Sequence, residues 1–111
     1  MIKYTVNTET FEFNPTKHAT AELAFHAYDD HSNKIVATLD TIEKARKALD
    51  SIKVSTYRFG YKVAQATVAY IEEAEFDLDE DGELEYVQGG DILDFKFEAL
   101  PNDDEDGEDE E

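Results

Sequence analysis

The sequence contains no cysteine, no long apolar run and, over its last forty residues, almost no positive charge. Without cysteine the chain has no disulfide framework, thiolate metal site or cysteine nucleophile, and a reducing cytoplasm is the compartment we expect. No segment approaches the about 20 apolar residues of a membrane-spanning helix, and the alternating N-terminus lacks the apolar stretch of a signal peptide. We therefore predict a soluble cytoplasmic protein that does not bind a membrane.

The shortage of positive charge makes the charge distribution very uneven. Residues 1–71 hold nine Lys and Arg against eight Asp and Glu, a net charge of +1. Residues 72–111 hold only Lys96 against twenty acids, a net charge of −19, so the whole chain carries −18. A charge of this size repels nucleic acid and membranes, which disfavours direct DNA or RNA binding. A partner recognised through this charge should be a basic protein surface.

The composition nonetheless predicts a folded protein. With 41% hydrophobic and 12% aromatic residues, the chain can bury enough surface to offset its conformational entropy. A length of 111 residues is typical of one domain, which we place over residues 1–100. The segment after Pro101, NDDEDGEDEE, has no apolar residue to dock into a core. Residues 101–111 are therefore predicted to be a disordered acidic tail.

Two helices follow from the hydrophobic periodicity. The first is predicted over residues 15–29, where an Asn-Pro pair is typical of a helix start and apolar residues recur at three- and four-residue spacing. The second is predicted over residues 41–52, because Asp40 and Glu43 form a capping box ahead of an apolar helical face. Both helices have an apolar face that needs a partner surface.

Apolar residues at every second position predict the strands. Ile2–Phe13 is predicted as a hairpin or one bent strand, and Lys34–Leu39 as a short strand. Residues 54–76 fit both a strand and a helix, and their β-branched and aromatic content favours a strand interrupted at Gly60. The expected fold class is α+β, with two helices packed on a largely antiparallel sheet.

The last strands follow from the chemistry of two turns. A three-residue loop that ends in a left-handed Gly82 would set Leu78 opposite Leu84. A second turn at Gly89-Gly90 would return the chain as a third strand, which gives a three-stranded meander. Its apolar face, which we expect to pack against the helices, consists of Phe76, Leu78, Leu84, Tyr86, Leu93, Phe95 and Phe97.

The opposite face of this meander is charged. Same-face residues along a strand recur about every 6.8 Å and neighbouring strands lie about 4.8 Å apart, so the carboxylates form an ordered array of negative charge. The alternative is that this is only the solvated side of an antiparallel sheet. The predicted partner-binding acidic face consists of Glu75, Asp77, Asp79, Glu83, Glu85, Asp94 and Glu98.

Residues 77–88, with the sequence DLDEDGELEYVQ, resemble an EF-hand calcium loop. The three aspartates would supply side-chain ligands and Gly82 the turn. The sequence departs from the motif because Gln88 replaces the bidentate Glu, and two glycines follow where the second helix should begin. Acid-rich hairpins produce such patterns by chance, so no metal ligand and no cofactor is predicted.

No motif indicates catalysis. The sequence contains three histidines, of which His26 has Asp30 four residues later on the predicted first helix, and two such ligands make a weak metal site at most. The serines lie in no nucleophile elbow, and no glycine-rich phosphate loop occurs. The carboxylates lack an apolar pocket that would raise a pKa for acid catalysis. The chain is therefore predicted not to be an enzyme.

By its size, charge and lack of cysteine, the chain looks like the DNA-mimic inhibitors made by phages and mobile elements. The resemblance is compositional, covers mainly residues 72–111 and transfers no individual residue. It implies that the acidic array imitates duplex phosphates, which present one charge per about 1.7 Å of axis, and occupies the site of a nucleic-acid-binding enzyme. The alternatives are a small accessory or structural protein whose acidity serves solubility, and a weak calcium-binding module.

Overall fold

The computed structural model describes residues 1–28 and 31–100 of the chain. Strands account for 51% of the described residues, and the predicted α+β class with an antiparallel sheet is confirmed. The predicted tail, residues 101–111, lies outside the described residues. In chain order the elements are β1 (Ile2–Phe13), α1 (Ala21–Ala27), β2 (Lys34–Leu39), α2 (Ile42–Asp50), β3 (Ser55–Arg58), β4 (Ala64–Leu78) and β5 (Leu84–Lys96).

β4 is the central strand of the curled sheet. β1 pairs with one edge of β4, and β2 lies on the far side of β1. The other edge of β4 pairs first with β3 and then with β5, and every pairing is antiparallel. The strand interpretation of residues 54–76 is therefore confirmed, with an interruption that contains Gly60.

Alternation along β4 divides the buried side chains into two clusters. Val68 and Tyr70 belong to a cluster that also contains Phe25 of α1. Ile71 belongs to a second cluster, which also contains Leu49 of α2. Because successive residues of a strand point to opposite sides, the two helices contribute to cores on opposite faces of the sheet. We call these the α1 face and the α2 face.

The first helix is shorter than predicted. It begins at Ala21 because Asn14 closes an isolated turn, in which its side-chain oxygen accepts the Thr16 N–H at 2.9 Å. The helix is capped instead by Thr20, whose hydroxyl accepts an N–H of the first turn at 3.1 Å. It ends at Ala27. The prediction of a helix over residues 15–29 is therefore wrong in extent.

The second helix, predicted over residues 41–52, begins one residue later at Ile42 and ends at Asp50. Thr41 is the N-cap, and its hydroxyl accepts the N–H of the third helical residue at 3.2 Å. The predicted capping box of Asp40 and Glu43 is wrong, because Asp40 forms an ion pair with Lys3 of β1. That hydrogen-bonded pair lowers the pKa of Asp40. Neither helix in the described ranges is long and apolar enough to cross a membrane.

β5 is one continuous strand of 13 residues, so the predicted turn at Gly89-Gly90 and the three-stranded meander are wrong. β5 pairs with β4 throughout, and three register shifts introduce bulges into the pairing. A Cβ atom at Gly90 would lie 2.7 Å from the carbonyl oxygen of Glu73. Gly90 therefore allows two backbones to approach closely, and Gly89 leaves room for the side chains of Glu72 and Tyr86; neither glycine reverses the chain.

The first predicted turn is confirmed, since Leu78 lies opposite Leu84. The apolar face that follows from it contacts the cores only in part. Phe76 is buried, and Phe95 and Phe97 pack against the cluster that contains α1. The exposed members are Leu78 (57%), Leu84 (43%), Tyr86 (45%) and Leu93 (39%). The prediction that the whole face packs against helices is wrong, because the hairpin continues past the end of β1.

Candidate functional site

The end of β4 and the start of β5 form an acidic hairpin, which we define as residues 73–88. The described chain is 64 Å along its longest axis. β1 pairs with β4 as far as Ile2 and Glu75, and Met1 exchanges two backbone hydrogen bonds of 2.7 Å with Phe76, so the hairpin continues beyond Phe76 as two strands. It contains no Lys, Arg or His. Its eight carboxylates belong to Glu73, Glu75, Asp77, Asp79, Glu80, Asp81, Glu83 and Glu85.

A tight loop fixes the end of the acidic hairpin. The Asp79 N–H donates to the Glu83 carbonyl at 2.9 Å, and Gly82 has a φ of 82°, in the left-handed region that favours glycine. The Asp79 carboxylate oxygen Oδ1 also accepts the backbone N–H groups of Asp81 and Glu83, each at 2.9 Å. Asp79 therefore orders the loop as in an Asx turn.

Two carboxylates of the hairpin lie directly opposite each other. Asp77 pairs with Glu85 in the strand register. Like charges in this arrangement destabilise a sheet, and among the described residues neither carboxylate has a basic ion-pair partner. Two residues earlier on β4, the Gln88 amide donates to Glu75 Oε1 at 3.3 Å. These residues lie on the α2 face, because they share the alternation of Ile71.

The remaining predicted residues, Asp94 and Glu98, lie away from the hairpin. The Asp94 carboxylate accepts the Arg46 Nε–H of α2 at 3.2 Å. Glu98 follows β5, and its backbone carbonyl accepts the Thr56 hydroxyl at 2.7 Å. Lys96 of β5 donates to carbonyls at and just beyond the end of α2. The structure brings together Glu75, Asp77, Asp79, Glu83 and Glu85.

The α1 face of the hairpin is apolar and partly exposed. The Tyr86 ring meets the Phe76 ring edge-on with centroids 5.6 Å apart, next to exposed Leu78 and Leu84. The Tyr86 hydroxyl donates to Glu72 Oε1 at 3.4 Å. Burial raises the pKa of Glu72, and burial together with the Glu72 charge raises the pKa of Tyr86. The hairpin thus offers carboxylates on one side and apolar side chains on the other.

An open cleft of about 200 Å³ lies at the base of the hairpin. Glu73, Glu75 and Gln88 line it, together with Ile2 and the backbone at Gly90. The cleft is smaller than the pockets of about 300–1,000 Å³ that hold small molecules. Its carboxylates suit the guanidinium or ammonium group of a single side chain from another protein.

Comparison of this chain with known protein families, curated proteins and solved structures finds no match. The functional interpretation therefore depends on the geometry and charge of the hairpin.

The surroundings of residues 77–88 differ from those of an EF-hand. Strands flank the loop on both sides, whereas helices flank an EF-hand loop. One oxygen of Asp79 is already bonded to two backbone N–H groups of the loop. Within residues 1–28 and 31–100, no group of three or more His, Asp or Glu side chains is arranged to hold a metal ion.

A buried polar cluster on β1 was not predicted from the sequence. Thr5, Asn7 and Glu9 are all buried on the α1 face. Glu9 Oε2 lies 3.0 Å from His31 Nδ1, and the Asn33 amide donates to Asn7 Oδ1 at 2.8 Å. Alternation gives no sign of this burial, because polar residues that alternate with apolar ones in a strand are expected to face solvent.

Proposed function

We propose that this chain is an acidic binding protein whose acidic hairpin occupies a basic surface of another protein. Carboxylates such as Asp77 and Glu85 accept hydrogen bonds from the partner's Lys and Arg side chains, and the cleft beside Glu75 receives one of them. A surface that binds DNA fits this array well, because phosphates present a similar series of closely spaced negative charges. The chain then inhibits a nucleic-acid-binding enzyme as a DNA mimic.

This proposal includes no catalysis, no cofactor and no direct contact with nucleic acid or a membrane. It places the protein in the cytoplasm, where a chain without cysteine needs no oxidising compartment. Phages and mobile elements are the sources that its size and charge suggest, since inhibitors of this kind protect them from host enzymes. Recognition is electrostatic, so the affinity for the partner falls as salt increases.

The observation that supports the proposal is the concentration of uncompensated charge on a hairpin that extends past the sheet. Asp77 lies opposite Glu85 with no described basic partner, whereas Asp40 and Asp94 elsewhere in the chain have Lys and Arg partners. The repulsion within the hairpin lowers its stability in the free protein and is relieved when a cationic surface binds. Solubility alone requires no such placement, because it depends on net charge.

Capture of proteins from a bacterial lysate tests this proposal with two variants of equal net charge. The hairpin variant carries Asp77→Asn, Glu83→Gln and Glu85→Gln. The control variant carries Glu12→Gln, Glu22→Gln and Glu43→Gln, which lie outside the hairpin. We expect the wild type and the control to retain the same DNA-binding proteins, with release by added duplex DNA.

The hairpin variant is expected to retain about tenfold less of these proteins, which corresponds to about 1.4 kcal/mol of binding free energy. Equal retention by all three proteins, or an equal loss in both variants, would contradict recognition by the hairpin. Either result would favour the alternative of an accessory protein whose acidity serves solubility.

A further inference from the structure

The loop between β3 and β4 exposes a row of large side chains at the end of β4 opposite the acidic hairpin. We call residues 57–63 the aromatic tip. Its exposed side chains are Tyr57 (59%), Phe59 (65%), Tyr61 (74%) and Val63 (43%). Residues 51–71 contain three basic residues and no acidic residue. The tip therefore combines exposed rings with positive charge, which occurs nowhere in the hairpin.

Hydrogen bonds hold the aromatic tip in one conformation. The Phe59 N–H donates to the Val63 carbonyl at 2.9 Å. The Arg58 guanidinium crosses the loop and donates to the carbonyls of Gly60 and Tyr61, at 3.2 and 3.1 Å. An ordered loop loses little conformational freedom on binding. Exposed aromatic side chains next to cationic ones are typical of the residues that dominate the affinity of protein interfaces.

We propose that the aromatic tip of one molecule docks on the acidic hairpin of a second copy of this chain. The rings lie against the exposed apolar side chains on one side of the hairpin, such as Leu78 and Leu84, and the long Lys62 side chain reaches past the strand edge to the carboxylates on the other side. The 15 residues of β4 separate the two surfaces by about 50 Å, so they cannot meet within one molecule. The contact is head-to-tail. This proposal rests on the proposed function, because both require that the hairpin accept a basic surface.

The net charge of −18 weakens this association without preventing it. Charges separated by more than about 8 Å are largely screened at 0.15 M salt, whereas pairs in contact are screened much less. Head-to-tail molecules meet only at their ends, where one surface is basic and the other acidic. Because the contact joins two different surfaces, it produces open chains or rings instead of a closed dimer.

Sedimentation equilibrium tests the proposal with one blocking variant for each surface. The tip variant carries Phe59→Ala, Tyr61→Ala and Lys62→Ser, and the hairpin variant carries Asp77→Asn, Leu78→Ser and Glu85→Gln. These side chains are exposed, and circular dichroism checks that both variants fold. We expect the wild-type mass to rise with concentration up to about 500 µM, a range that detects a weak contact.

Each variant alone is expected to remain a monomer, while an equimolar mixture forms a 1:1 dimer and nothing larger. A monomeric wild type would overturn the proposal. Association of the hairpin variant alone would also overturn it, because contacts between two tips give that result. A mixture that stays monomeric would overturn it too, because the mixture contains an intact tip and an intact hairpin. Binding of oligothymidine or anionic vesicles through the tip of a monomeric wild type would assign the tip to another partner class and likewise overturn it.

The tip variant also separates this proposal from the proposed function. It cannot extend a head-to-tail chain, but it keeps an intact hairpin. If it captures the same DNA-binding proteins as the wild type, recognition by the hairpin holds whatever the outcome for self-association. Self-association without any captured protein would leave the second copy as the hairpin's partner and contradict the proposed function alone.

Discussion

At the scale of single residues, Asp79 determines the shape of the hairpin loop through its carboxylate oxygen. Two backbone N–H groups donate to that oxygen at 2.9 Å. Asp79→Ala removes the acceptor and one charge, whereas Asp79→Asn removes the charge and keeps an oxygen at the same position. We expect Asp79→Ala to lower the opening free energy of the hairpin by about 1 kcal/mol.

Amide hydrogen exchange along β4 and β5 measures this change. The Asp79→Asn variant is the control, and we expect its protection to equal or exceed that of the wild type because repulsion in the loop decreases. Equal protection in the two variants would show that the loop does not depend on the carboxylate oxygen.

Glu72 is a carboxylate whose burial costs stability at neutral pH. Its side chain lies against Gly89, where a Cβ atom would be 2.3 Å from Glu72 Oε2, and burial raises its pKa. The folded state therefore holds this proton more tightly than the unfolded state. The charged form opposes folding above the folded-state pKa, and the penalty disappears as the pH falls below the unfolded value of about 4.3.

We predict that Glu72→Gln raises the unfolding free energy at pH 7, while Gln still accepts the Tyr86 hydroxyl. Glu73→Gln, which removes the adjacent charge on the other face, is the control for net charge. Urea denaturation between about pH 4 and pH 7 gives the unfolding free energy of both variants. The excess of Glu72→Gln over Glu73→Gln should shrink toward zero at the lower pH. A difference that grows as the pH falls would contradict the burial of Glu72.

At the scale of elements, the glycines of β5 replace a predicted turn with a close approach of two strands. A Cβ atom at Gly90 would lie 2.7 Å from the Glu73 carbonyl oxygen, whereas one at Gly60 would meet nothing within 4 Å. We predict that Gly90→Ala destabilises the protein by about 1–3 kcal/mol, because the backbone must shift. Gly60→Ala, the matched control, should be neutral or stabilise by up to about 1 kcal/mol. Thermal unfolding compares them, and equal effects would contradict the close strand pairing.

The sequence predicted the elements whose determinants are local. The Leu78–Leu84 register followed from loop chemistry, because the left-handed Gly82 lies within the loop itself. The Gly89-Gly90 turn was wrong because the residues that decide it lie on β4, far away in sequence. The predicted Asp40 cap failed for a similar reason, since Lys3 of β1 binds that carboxylate.

The same limit applies to the candidate site: features that depend on nearby residues were predicted, and features that depend on distant residues were not. Five carboxylates of the hairpin follow from strand alternation and one turn. The sequence alone could not show that Asp94 lies apart from these five carboxylates, because its Arg46 partner lies on a helix 48 residues earlier. The aromatic tip was missed because alternation alone does not distinguish exposed rings from buried ones.

The surroundings of the hairpin loop disfavour the calcium alternative, which a titration can test. Strands flank residues 77–88, Gln88 cannot provide a bidentate carboxylate, and Asp79 already bonds to the loop. We expect calorimetric titration to detect no saturable calcium binding tighter than about millimolar, at the weak end of known loops. A micromolar dissociation constant that is lost in both Asp79→Asn and Asp81→Asn would make calcium binding the leading hypothesis.

At the scale of the whole molecule, the long strand β4 separates two surfaces of opposite chemistry. The aromatic tip directly precedes its first residue, and the acidic hairpin contains its last ones. The distance between them, about 50 Å by strand rise, exceeds the range of electrostatic interaction at physiological salt. The charges of the two surfaces therefore do not influence each other, and the proposed binding of a basic partner by the hairpin does not depend on what occupies the tip.

The salt dependence of the affinity for a captured DNA-binding protein tests the central claim most directly. Between about 0.01 M and 0.15 M salt the screening length falls from about 30 Å to about 8 Å. We predict that the affinities of the wild type and the control variant both fall by about tenfold or more over this range. The variant with Asp77→Asn, Glu83→Gln and Glu85→Gln should bind weakly at both salt concentrations. Wild-type affinity that does not change with salt, or a hairpin variant that binds as tightly as the control, would contradict the claim.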